Sequence, residues 1–103
     1  MVYFVGAGPG AADLITVRGM RLLEQADVVI YAGSLVNPEL LSYCKKECEI
    51  HNSAYMTLEE VLAVMEEAEK QKLTTVRLHT GEPSIYGAVR EQMDLLDEKG
   101  ILY

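Results

Sequence analysis

Three glycines, Gly6, Gly8 and Gly10, are spaced two residues apart directly after an apolar run, and Pro9 stands between the last two. Glycines in this spacing let a ligand approach the backbone closely. Residues 6–11 also match the G-x-G-x-x-[G/A] pattern of dinucleotide-binding loops, whereas the Gly-Lys-Ser/Thr ending of a P-loop is absent. The first chemistry suggested by the sequence is therefore the binding of a dinucleotide.

The surrounding residues argue against a dinucleotide. Pro9 has no N–H group, although the N–H groups of such a loop should face the pyrophosphate. A carboxylate for the ribose should also follow the second strand. That strand is predicted at 27–31, with Asp27 at its wrong end and Glu39 beyond it in the next helix. We therefore expect a different ligand at this loop.

Two histidines and a tyrosine are the candidate catalytic residues. His79 and His51 each stand at the end of a predicted strand, and histidine titrates near neutral pH, as an acid or a base must. A simple hydrogen bond to a neighbouring loop is the alternative for both. Tyr31 ends the second strand and either lines a site or is an ordinary tyrosine at the edge of the core. The basic residues Arg18, Arg21, Arg77 and Arg90 serve either surface ion pairs or the carboxylates of an anionic substrate.

The cysteines predict no metal site. Cys44 and Cys48 form a CxxxC pair three residues before His51, and with His79 these side chains would make a set of four. The CxxC pairs of structural zinc sites are absent. We expect two reduced thiols and no bound metal.

Composition and charge limit the partners. The 103 residues carry a formal net charge of −7, which argues against binding to nucleic acids and to anionic membranes. No apolar run is long enough to span a membrane, and no basic leader opens the sequence. We expect a cytoplasmic protein.

Strands and helices alternate along the chain. Strands are predicted at 2–5, 27–31, 48–51, 74–79 and 101–103. Helices are predicted from Asp13 or Thr16, at 37–46, at 57–72, and after 80–83 as far as Gly100. Thr57 and Glu60 are expected to form a capping box at the start of the third of these helices. This pattern is typical of one three-layer α/β domain over residues 1–103, with a mostly parallel sheet flanked by helices. Ligands of such sheets bind beyond the carboxyl ends of the strands, where segments 6–11, 31–37 and 79–88 all begin.

Three stretches together carry a family resemblance. VGAGPGAADLITVRG (5–19), ADVVIYAGSLVNPELL (26–41) and VRLHTGEPSIYGAVREQM (76–93) resemble, in this order, the N-terminal half of the tetrapyrrole (corrin and porphyrin) methyltransferases. The resemblance implies a two-domain enzyme, most members being homodimers, of which residues 1–103 are the N-terminal α/β domain. It also implies C-methylation of a corrin precursor with S-adenosylmethionine as methyl donor.

The resemblance further assigns site residues. It implies that the cofactor is contacted by Pro9, Thr80, Gly81, Glu82 and Ile85, and that the tetrapyrrole lies along the glycine loop with Gly8 and Gly10. Beyond the resemblance, Ser34 is either a substrate contact or an ordinary turn residue, and Tyr86 either lines the site or is a tyrosine at the edge of the core. Ala32 departs from the family, because relatives that methylate uroporphyrinogen carry an aspartate there; no general base is inherited at that position. Ala11 and Glu82 also replace usual aspartates.

Other functions stay open on the sequence. A sister member of the superfamily, such as another precorrin methyltransferase or a diphthine synthase, is the first alternative. A non-catalytic α/β domain that binds a ligand is the second. The domain on its own is expected to be inactive, since the resemblance implies that the cofactor cleft needs a second domain.

Overall fold

Four strands form one parallel sheet, which confirms the predicted α/β class. The computed structural model describes residues 1–6, 16–31, 38–79 and 86–103. The strands are β1 (Val2–Gly6), β2 (Val28–Tyr31), β3 (Glu49–Asn52) and β4 (Thr75–His79). Their order is β1-β4-β2-β3, and every neighbouring pair is parallel. The carboxyl ends of all four strands therefore meet at one edge of the sheet.

In the described ranges, three α-helices and two short 3₁₀ helices connect the strands. They are α1 (Val17–Gln25), α2 (Leu58–Lys70), α3 (Tyr86–Glu98) and the 3₁₀ segments Pro38–Tyr43 and Ser53–Tyr55. The helix predicted at 37–46 is thus shorter than expected and has 3₁₀ geometry. Within it the Ser42 hydroxyl donates to the carbonyl of Glu39, three residues back, and such local bonds compete with a regular α-helix. No helix in the described ranges is long and apolar enough to cross a membrane.

The core lies on both faces of the sheet, as expected for parallel strands. One buried cluster joins the sheet to α2 and α3: Val2, Val28, Ile30, Val61, Leu62, Met65, Ala68, Leu96 and Ile101. The other cluster, on the face of α1 and the first 3₁₀ helix, contains Val5, Leu23, Ala26, Val29, Leu40, Val76 and Leu78. Leu23 is fully buried in it, whereas the preceding residue of α1, Leu22, is only partly buried.

The helix ends are capped by local bonds. Thr57 and Glu60 form the predicted capping box at the start of α2. At the end of α3, the Gly100 N–H donates to the carbonyl of Asp97 and the Ile101 N–H to that of Leu96. This is a Schellman motif, with Gly100 in the left-handed region at φ 70° as the motif requires. These bonds satisfy backbone groups at the start of α2 and the end of α3.

Residues 101–103 follow β1 without forming the predicted strand. The N–H of Val2 donates to the carbonyl of Leu102 at 3.0 Å. The rings of Phe4 and Tyr103 meet edge to face, with their centroids 5.9 Å apart. The end of the described chain therefore packs along the outer side of β1.

Candidate functional site

The candidate site is the edge formed by the carboxyl ends of the strands. Gly6, His79, Tyr31 and Asn52 are the last residues of β1, β4, β2 and β3. Gly6 pairs in register with His79, and Tyr31 pairs with Asn52. Open parallel sheets bind their ligands at this edge. The strands thus bring the starts of the three glycine-containing segments together, as the sequence predicts.

His79 is the candidate catalytic residue placed best at this edge. It is half-buried, and a Cβ added at Gly6 would lie 3.9 Å from its Cε1. The imidazole of His79 therefore lies beside the backbone of Gly6 at the carboxyl edge. His79 also makes a polar or electrostatic interaction of its own. Its role in proton transfer stays a prediction.

The side chains of Tyr31 and His51 do not lie beside that of His79. The Tyr31 ring packs against the cluster on the α1 face, opposite to the face of His79. His51 lies two strands away from His79, and two strand spacings amount to roughly 10 Å. The side chain of His51 instead lines a groove between β3 and α2, with Nε2 3.3 Å from Oε2 of Glu49. The three candidates therefore do not form one cluster, and each catalytic assignment remains a separate prediction.

Most predicted binding residues lie outside the described residues. These are Pro9, Thr80, Gly81, Glu82 and Ile85 for the cofactor, and Gly8, Gly10 and Ser34 for the substrate. The backbone of Tyr86, also predicted to contact the substrate, begins α3. Their assignments stay predictions.

The structure places Arg77 near this edge with its side chain buried, whereas one of the two roles expected from the sequence was a surface ion pair. Its side chain is buried, being only 7% exposed, so it makes no surface ion pair. Nε donates to Oε1 of Gln92 in α3 at 3.1 Å, and Nη2 donates to the Ser53 hydroxyl at 3.1 Å. Nη1 donates to the carbonyls of Ile30 and Leu78, at 3.2 and 3.3 Å. Arg77 therefore joins the ends of two strands, a 3₁₀ helix and α3.

A further bond extends this network. The Ser53 hydroxyl donates in turn to the carbonyl of Tyr31 at 3.0 Å. Burial lowers the pKa of Arg77 to about 10, so the guanidinium is still charged at neutral pH. The signal available in the sequence was an arginine flanked by Val76 and Leu78 within a strand. Its burial becomes evident only once β4 is known to be a central strand covered by α3.

The other arginines behave differently. Arg18 and Arg21 are exposed on α1. Arg90 forms an exposed ion pair with Asp94, one turn along α3, at 3.1 Å. Pairs of this kind contribute little to stability. Arg77 is thus set apart by its burial at the carboxyl edge.

The cysteines are free thiols, half-buried beside the core. Burial raises the pKa of both, and that of Cys48 reaches about 12, with Cys44 nearby as a second cause. Within the described ranges, no group of three or more His, Cys, Asp and Glu side chains is placed to hold a metal ion.

Comparison with known proteins gives a consistent result. The family model of the Tetrapyrrole (Corrin/Porphyrin) Methylases matches residues 1–103. A Cobalt-precorrin-4 C(11)-methyltransferase of Methanocaldococcus jannaschii is 59% identical over 100 residues, which are 97% of this chain and 39% of the relative. This chain therefore spans well under half the length of that relative.

Solved structures agree with the fold. The X-ray structure of a cobalamin biosynthetic enzyme, cobalt precorrin-4 methyltransferase, superimposes with a TM-score of 0.90 at 48% identity. The match covers 97% of this chain and 42% of the other. A uroporphyrin-III C-methyl transferase from Thermus thermophilus, complexed with S-adenyl homocysteine, gives a TM-score of 0.74 at 32% identity, over 97% and 41% of the two chains. Fold, motifs and matched residues all agree: the chain belongs to the tetrapyrrole (corrin/porphyrin) methylase family.

Proposed function

We propose that the protein containing this chain is a methyltransferase that transfers a methyl group from S-adenosylmethionine to C11 of a corrin precursor, (cobalt-)precorrin-4, in cobalamin biosynthesis. The observation that carries the proposal is the 59% identity, over 97% of this chain, to a relative with that activity in its name. We assign residues 1–103 to the N-terminal α/β domain of a two-domain enzyme.

The described edge suits such a cofactor. S-adenosylmethionine has no phosphate, so a glycine loop in which Pro9 lacks an N–H group loses nothing by binding it. Gly6 carries no side chain, so a ligand atom can approach its backbone beside the imidazole of His79. We assign the cofactor contacts to Pro9 and to residues 80–82 and 85, which adjoin the ends of β1 and β4.

Methyl transfer requires mainly that the reacting atoms of cofactor and substrate be aligned. When bound, the cofactor supplies an electrophilic methyl group on a sulfonium. The protein's part is to hold the tetrapyrrole carbon in line with that methyl group, and such positioning contributes much of the acceleration of a displacement. A proton must also move on the tetrapyrrole, and His79 is the described side chain we consider first for it.

Two further properties belong to this proposal. We expect the protein to be cytoplasmic and homodimeric, as most members of the family are. Size-exclusion chromatography with light scattering measures the oligomeric state directly. A monomer at micromolar concentration would contradict the dimer and leave the proposed reaction standing.

The test uses the protein at its full encoded length. Calorimetry should give saturable binding of S-adenosylmethionine and none of NAD, which serves as the control for the dinucleotide alternative. Incubation with labelled S-adenosylmethionine and either precorrin-4 or its cobalt complex should label the tetrapyrrole at C11. Binding without labelling of either substrate would favour a sister methyltransferase, and binding of NAD alone would overturn the proposal.

A further inference from the structure

The inference concerns the buried arginine of β4. The Arg77 guanidinium is largely buried and contacts no carboxylate of the described residues. A buried charge is costly, and hydrogen bonds to neutral acceptors offset only part of that cost. Apolar residues of similar size often replace buried charges without loss of stability. Stability alone is therefore a weak reason for an arginine at this position.

The positions of its acceptors suggest another reason. Ile30 immediately precedes the last residue of β2, and Leu78 immediately precedes the last residue of β4. Ser53 opens the 3₁₀ helix that follows β3, and Gln92 lies on α3. One planar group with donors in fixed directions thus joins the elements from which segments 32–37 and 80–85 emerge. Its bonds set how far apart those elements lie and how they are oriented.

We infer that Arg77 is a positioning residue of the methyl-transfer site, acting on ligand affinity by fixing the ends of β2 and β4 and helix α3 relative to one another. This inference rests on the proposed function for the identity of the ligand. The network itself consists of contacts between described side chains and backbone. A site held only loosely by its supporting residues loses affinity and rate even when every contact residue is present.

The test separates positioning from stability with two variants of the full-length protein. Arg77→Met removes the guanidinium and leaves the Gln92 amide without its partner. The double variant Arg77→Met/Gln92→Leu removes both, so that no polar group of the pair is left buried and unpaired. We expect the double variant to melt close to the wild-type temperature and to bind S-adenosylmethionine about tenfold more weakly.

Asp27→Ala is the matched control. Asp27 lies at the opposite edge of the sheet, where its carboxylate accepts from Lys45 Nζ at 2.6 Å and from the Thr74 N–H at 2.8 Å. It therefore joins the amino ends of strands, as Arg77 joins the carboxyl ends. We expect Asp27→Ala to lose stability and to keep the wild-type dissociation constant. Equal affinity in the double variant and in wild type would overturn the inference, as would an equal loss of affinity in Asp27→Ala.

A second readout does not depend on the ligand. Hydrogen exchange of peptides containing Tyr31 and His79 should accelerate in the double variant and stay unchanged in Asp27→Ala. Ser53→Ala, which removes only the hydroxyl between Arg77 and the Tyr31 carbonyl, should accelerate the Tyr31 peptide alone. Wild-type exchange rates in both the Arg77→Met/Gln92→Leu variant and Ser53→Ala would refute the positioning role. If wild type binds no S-adenosylmethionine, the proposed function fails, and exchange still decides the role of Arg77.

Discussion

Gly6 and His79 are register partners at the carboxyl ends of β1 and β4, and a Cβ added at Gly6 would lie 3.9 Å from His79 Cε1. That distance is an ordinary van der Waals contact, and the φ angle of Gly6 is not positive. Neither backbone conformation nor the packing of the described residues therefore requires a glycine at this position. Gly100 is the opposite case, since a Cβ there would meet no described atom within 4 Å but its φ is 70°.

Gly6→Ala and Gly100→Ala should consequently have different effects on the free energy of unfolding. Alanine at Gly6 restricts the unfolded chain without straining the fold, so we expect stability equal to wild type or higher by about 0.5 kcal/mol. Alanine at Gly100 must adopt the left-handed region and should cost about 1 kcal/mol. Urea denaturation measures both. A loss for Gly6→Ala as large as that for Gly100→Ala would contradict the packing described around His79.

Lys72 occupies a position that normally favours glycine. It follows α2 with φ 59°, while its N–H donates to the Glu69 carbonyl and the Leu73 N–H donates to the Ala68 carbonyl. This is the same Schellman geometry as at Gly100. We expect Lys72→Gly to stabilise the protein by about 0.5–1 kcal/mol, because it removes the strain of the left-handed conformation.

Ala63→Gly is the control for that change. Ala63 is exposed within α2, where glycine should cost about 1 kcal/mol relative to alanine. The two substitutions should therefore shift the urea midpoint in opposite directions. If both substitutions destabilise the protein, the Lys72 side chain contributes more to stability than the left-handed backbone conformation costs.

Protonation of Asp27 should make the free energy of unfolding depend on pH in the acid range. Its bonds with Lys45 and with the Thr74 N–H lower its pKa below the ordinary value of 3.8. Between that lowered pKa and 3.8 the unfolded chain binds more protons, so stability is present above this window and is lost as the pH falls through it. Asp27→Asn should flatten the dependence of urea stability on pH below about 4. An unchanged slope would assign the acid sensitivity to other carboxylates.

The thiols should react slowly in the folded protein. Burial raises the pKa of Cys44, and raises that of Cys48 to about 12, which leaves little thiolate near pH 8. Alkylation by iodoacetamide should therefore be at least about tenfold slower in the native state than in concentrated guanidinium chloride. Cys44→Ser and Cys48→Ser assign the rate to each thiol. Equal native and denatured rates would contradict the burial of these side chains.

The sequence predicts the elements of this fold better than their arrangement. Short apolar runs and the Thr57–Glu60 pair depend on neighbours in sequence, so β1 to β4 and the start of α2 were predictable, whereas the strand predicted at 101–103 is absent from the structure. The burial of Arg77 depends on Gln92 and Ser53, which reach it only after the sheet is assembled. The 3₁₀ geometry of Pro38–Tyr43 likewise depends on local bonds that an apolar pattern does not reveal. Side-chain roles that depend on strand order are the part that sequence alone does not supply.

The strand order also has a consequence for synthesis on the ribosome. β4 lies between β1 and β2, and Val2 pairs with Thr75. Among the described strands β1 therefore has no partner until β4 has been made, while β2 and β3 can already pair with each other. Such distant pairing delays closure of a sheet and leaves an apolar strand exposed in the meantime. Of the four described strands, the one that is made first thus waits for the one that is made fourth.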